Sequence, residues 1–181
     1  MATKRQTKYL MTASLAIALG TALAGCGPKT GNSDASELSP DISMNSSRTA
    51  KQLLTGFYGV EDGAWRWTAK TFSVALGVPA GAAAKGGKLT FRFVFPDPAI
   101  KALHTVTLSA NVLSPNVKDV ALAPQTYSTT GEQVYAQDIP ASNLASTSVR
   151  VDFSLDKAIS PGQVDIRELG VIAKEVSLTS K

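Results

Sequence analysis

At 181 residues, 44% hydrophobic and 18% charged, the chain has the composition of an ordinary globular protein with room for one domain. Its formal net charge of +4 includes Lys4, Arg5 and Lys8 near the N-terminus; setting these three aside leaves 15 basic residues against 14 acidic ones, which disfavours nucleic acid as a partner. A single cysteine, Cys26, excludes an internal disulfide framework and every cysteine-based metal site.

The chain opens with a positively charged stretch, Met1 to Tyr9, followed by fourteen mostly apolar residues from Leu10 to Leu23. That run is too short to cross a bilayer comfortably as a mature helix and has the layout of a secretory signal. Small residues Ala24 and Gly25 then precede Cys26. One reading is a plain signal or an N-terminal membrane helix in which Cys26 is incidental. The more specific pattern, Leu23-Ala24-Gly25-Cys26, resembles the lipobox of bacterial lipoproteins. The resemblance implies a signal peptide over residues 1–25, acyl chains on Cys26 and a membrane partner reached through that lipid. Each buried methylene contributes about 0.8 kcal/mol, so two or three chains hold permanently where one holds marginally. Gly27 follows the cysteine, with no aspartate to resemble an inner-membrane retention signal. In a bacterium with two membranes the expected location is the outer membrane, facing the periplasm.

Residues 26–51 read as the lipidated cysteine and a flexible linker, rich in Gly, Pro, Ser and Asn. Such a segment buries too little apolar area to offset its ordering entropy. About 24 flexible residues give a reach on the order of 25–30 Å.

From residue 52 to 181 the texture changes to alternation. Phe72, Val74 and Leu76 share one face; Leu89, Phe91, Phe93 and Phe95 repeat the pattern, as do Val106 to Val112 and Val149 to Leu155. Period two with one apolar face predicts antiparallel strands over a core. Turn signals separate them, such as Pro79-Ala80-Gly81, Ser114-Pro115-Asn116 and Ser160-Pro161-Gly162. The predicted fold is all-β, a single antiparallel β-sandwich of jelly-roll-like form. Single helical turns are expected after Pro98 and Pro140, each with proline at the first helical position. In the last strand Val171 and Ala173 fall out of phase with Val176 and Leu178, which predicts a β-bulge near Lys174-Glu175.

Two clusters carry candidate chemistry. The first, Gly56 to Thr68, holds both tryptophans, Trp65 and Trp67, with Glu61, Asp62 and Arg66. Extended backbone there points both indoles one way and Arg66 the other. Indole faces would stack on sugar rings while Glu61, Asp62 and Arg66 bond hydroxyls. The competing reading makes one tryptophan a core anchor and pairs Arg66 with Glu61. The second cluster, Asp165-Ile166-Arg167-Glu168-Leu169-Gly170, is either a loop tie through Asp165 or Arg167 or a set of polar contacts through Asp165, Arg167 and Glu168. The lone His104 reads as a surface residue at a strand edge. No nucleophile elbow, phosphate loop or zinc spacing is present, so neither catalysis nor a cofactor beyond the lipid is expected.

Together the Gly56-Phe57 to Glu61 segment with Arg66-Trp67-Thr68, the Asp-x-Arg-x-Leu-Gly segment before the final strand, and Tyr135 to Pro140 resemble β-sandwich domains of bacterial cell-surface glycan proteins. The resemblance spans most of residues 56–179 and implies a glycan connection. Two functions stand. One is a non-catalytic module binding a glycan or an envelope protein; the other is a structural or assembly lipoprotein using a sandwich face or an edge strand.

Overall fold

The computed structural model describes residues 38–181. Cys26 and the signal segment lie outside the described residues. Nine strands occur among those described: β1 (Asp41–Ser43), β2 (Leu53–Glu61), β3 (Trp65–Gly77), β4 (Gly87–Phe95), β5 (Val106–Leu113), β6 (Val120–Tyr127), β7 (Gly131–Ile139), β8 (Ser148–Leu155) and β9 (Ile172–Ser180). Short helices α1 (Ala82–Lys85) and α2 (Asp97–Leu103) punctuate them.

All pairings are antiparallel and run in the order β6-β5-β8-β3-β9-β4-β7, with β2 beside β3 and β1 beside β9. The junction of β3 with β9 is only two residue pairs wide, Arg66 with Ala173 and Trp67 with Ile172. There the sheet folds over into two layers. One contains β2-β3-β8-β5-β6; the other contains β7-β4-β9-β1. Rings from both layers meet in the middle: Phe72 and Phe153 of the first lie 5.4 and 5.2 Å from Phe91 of the second. The fold is therefore the expected all-β antiparallel sandwich.

The alternation read from the sequence is the alternation of burial. Leu89, Phe91, Phe93 and Phe95 are buried, while Lys88 just before them and Arg92 among them are exposed. Each such side chain taken from water contributes roughly 1.5–3 kcal/mol. The predicted bulge is present: Arg92 pairs with Glu175 and Phe93 with Ala173, so Lys174 is the extra residue. Its carbonyl is not wasted, since it accepts the Met44 amide at 3.0 Å.

The expected linker needs correction at its C-terminal end. Residues 38–51 belong to the folded unit: β1 pairs with β9, and Ile42 and Met44 are completely buried. Gln52, buried, fastens the entry by bonding the Ser39 amide and carbonyl and the Ala75 carbonyl at 2.8–3.0 Å. Two apolar anchors two residues apart suffice to add a strand, and the polar residues around them hide it. The helical turns also shift. Pro98 is the second residue of α2, and Pro140 precedes a 3₁₀ turn over Ala141–Leu144 without entering it.

Candidate functional site

The hairpin joining β2 and β3 turns at Asp62 and Gly63, both with positive φ (49° and 63°), and the Ala64 amide closes it on the Glu61 carbonyl at 3.0 Å. Asp-Gly tolerates this left-handed pair, so Asp62 serves the turn. Immediately after it, Trp65 and Trp67 stand on one side of β3. Their rings meet edge to face, with centroids 6.1 Å apart and planes at 83°. Both indoles are half-buried. Trp67 leans on the core, and Trp65 lies beyond it.

Directly opposed residues of antiparallel strands share a face, and Trp67 begins such a row. It faces Ile172, which faces Val94, which faces Glu132. Four strands at ~4.8 Å spacing make this row roughly 14 Å long. Beside its far end, Arg92, Glu132, Val134 and Lys174 line a depression of about 400 Å³. Sequence reasoning missed Arg92, Glu132 and Lys174. They look like ordinary outward residues on alternating strands, and only the register brings them to the indole side. The arrangement offers apolar surface edged by charged hydrogen-bonding groups, the usual composition of a small-ligand site.

The other candidates are engaged by the protein itself. Arg66 donates from Nε to the Met44 carbonyl and from Nη1 to the Tyr58 carbonyl, both at 2.8 Å, clamping the N-terminal strand to β2. It does not pair with Glu61. Instead Arg167 Nη1 donates to Glu61 Oε1 at 2.8 Å, and its Nε and Nη2 grip both carboxylate oxygens of Asp165 at 3.1 and 2.8 Å. The two sequence clusters thus meet as one network. The Arg167 guanidinium also lies 5.0 Å over the Tyr58 ring, whose hydroxyl donates to the Glu168 carbonyl. Bonds from the Arg167 guanidinium, and then from its backbone amide, hold the Asp165 carboxyl down at about 2. Gly170 completes the tie by close approach: a Cβ there would lie 2.6 Å from both the Ala69 carbonyl oxygen and Thr68 Oγ1. His104 is exposed and ends α2 with a positive φ of 62°.

Among the described residues no group of three or more His, Cys, Asp or Glu side chains is arranged to hold a metal ion. No helix among them is long and apolar enough to cross a membrane.

No family model matches the chain, and none of the curated proteins matches it. Solved structures it is similar to include a family 61 carbohydrate-binding module in complex with β-1,4-galactotriose, 13% identical, with 65% of this chain and 69% of that chain covered and a TM-score of 0.34. Another is a family 4 carbohydrate-binding module, 13% identical, with 79% and 89% covered and a TM-score of 0.37.

Proposed function

We propose that the chain is a membrane-anchored envelope lipoprotein whose sandwich is a non-catalytic glycan-binding module. The observation that carries this reading is the pair of half-exposed indoles, Trp65 and Trp67, heading an apolar row that ends among Arg92, Glu132 and Lys174. Indole faces offer a large, rigid contact to the apolar face of a sugar ring, and the charged rim supplies bonds to its hydroxyls.

The Gly77 amide donates to the Ser39 carbonyl, so the described chain enters at the C-terminal end of β3, whereas the indoles stand at its N-terminal end. Along β9 the entry lies at Leu178, whose amide donates to the Pro40 carbonyl, and Trp67 lies at Ile172, six residue steps or roughly 20 Å away.

The second reading, a structural or assembly subunit, is favoured by Leu54 and Val60 on edge strand β2, which are 43% and 39% exposed. A glycan array probed with the full chain in detergent separates the two: saturable glycan binding supports the module, and none supports the assembly subunit. The anchor is read by labelled fatty acid, which the wild type should incorporate and Cys26→Ser should not.

A further inference from the structure

The β2-β3-β8-β5-β6 layer carries, beyond the indole end of β3, a feature that the proposed site does not use. On the outward face of β3, β8 and β5, Ser73 faces Asp152, which faces Asn111; one row along, Thr71 faces Ser154, which faces Ser109. These two rows of three form the floor of a groove of about 540 Å³. At strand spacings of ~4.8 Å across and ~6.8 Å between alternate residues, the floor is a regular grid of hydrogen-bonding groups.

Its walls come from irregular edges. On one side β6 skips register against β5 between Leu122 and Gln125, bringing the exposed Pro124 to the rim. On the other, β2 shifts register against β3 three times and leans in through a 2.7 Å bond between Thr55 and Ser73. Bulged edges of this kind bend a sheet and commonly border sites.

The residue choice is costly for a strand. Asn and Asp are depleted in strands, yet Asn111 and Asp152 oppose each other in the centre of the layer. Where local preference and fold conflict, a functional reason is the usual cause. The side chains of Asn111, Ser109 and Ser154 have no hydrogen-bond partner among the described residues. The charges cancel: Asp152 accepts Arg150 Nε at 2.6 Å, which leaves the floor neutral and polar.

We infer that this groove is a second ligand site that takes a neutral, polyhydroxylated chain, an oligosaccharide laid across the strands. Hydroxyl and carboxamide groups match sugar hydroxyls as donors and acceptors alike, and a floor without net charge gives neither an anion nor a cation an advantage. The inference shares its ligand class with the proposed function but rests on different residues, on the face of β3, β8 and β5.

The test is isothermal titration of the full chain in detergent with linear glucose, galactose and mannose hexasaccharides. Ser154→Tyr fills the groove from an exposed position and places a residue that strands favour, so folding should persist. The expected result is at least a tenfold loss of affinity for one hexasaccharide in Ser154→Tyr, with an unchanged Tm and with that affinity retained in Trp65→Ala. Asn111→Thr should weaken the same binding. Loss in Trp65→Ala with none in Ser154→Tyr would overturn the groove and leave the indole site standing. Binding unaffected by either variant overturns both sites, as does no binding by the wild type. Loss in both variants supports the groove at a stoichiometry of two and overturns it at one.

Discussion

Arg167 donates to Glu61 at 2.8 Å across 106 residues of chain, so the loop before the last strand and the end of the first hairpin are one piece of structure. The same guanidinium is held by Asp165 and lies over Tyr58, leaving a ligand little of its bonding capacity. Arg167→Ala should therefore act on stability and spare binding. We expect Tm to fall by roughly 2–4 °C. Arg167→Lys should recover only part of it, because an ammonium cannot grip a carboxylate at two points. Thermal unfolding of the two variants checks both.

Acid should reveal the same network. The Asp165 carboxyl is lowered from its ordinary 3.8 to about 2 in the folded chain. Its contribution is present above pH ~4 and is lost as pH falls from there through about 2. Asp165→Asn should flatten that part of the stability profile, measured by denaturant unfolding between pH 2 and 5.

The entry strand gives a sharper test of where the fold begins. Met44 is fully buried, and Met44→Ala should cost about 2–5 kcal/mol. A chain beginning at residue 52 should melt lower still than one beginning at residue 38, since it lacks Ile42 and Met44 together. Equal melting temperatures for the two fragments would return residues 38–51 to the linker.

Two tyrosines bridge the outermost strands of the folded sheet: Tyr127 donates to the Val134 carbonyl at 3.1 Å and Tyr135 to the Ala123 carbonyl at 2.9 Å. Tyr135→Phe should cost about 1 kcal/mol by leaving the Ala123 carbonyl without that partner. Burial pushes the Tyr135 hydroxyl up to about 12 from 10.0 and raises Tyr127 as well, with a contribution from the nearby Tyr135 charge. The Tyr135 contribution is intact below pH ~10 and is lost as pH rises through about 12, and that of Tyr127 is lost on the same alkaline side. Phenolate absorbance in an alkaline titration should appear late, and together with unfolding.

Much of this architecture is written in local pattern. Leu89 to Phe95 alternates without a fault and folds as it reads, and the phase break between Ala173 and Val176 locates the bulge at Lys174. β6 has no such legibility, because Pro124 and its alanines blur the period on an edge where pairing is one-sided. β1 is three residues long, too short for any period to show. The site is less legible still. Trp65 and Trp67 announce themselves by type, but their neighbours Ile172, Val94 and Glu132 arrive through register alone. Asp62 illustrates the converse: beside tryptophans it resembles a hydroxyl-binding carboxylate, whereas its positive φ makes it a turn residue. Nothing local marks Glu61 as the partner of Arg167 in preference to the nearer Arg66.

The claim that the indole pair binds a glycan is tested most directly by the tryptophan fluorescence of the full chain titrated with the neutral hexasaccharides. A saturable change in emission is expected with at least one of them, abolished in Trp65→Ala with Tm preserved. The claim is contradicted if no hexasaccharide changes the emission, or if the saturable change persists at the same affinity in Trp65→Ala and in Trp67→Ala.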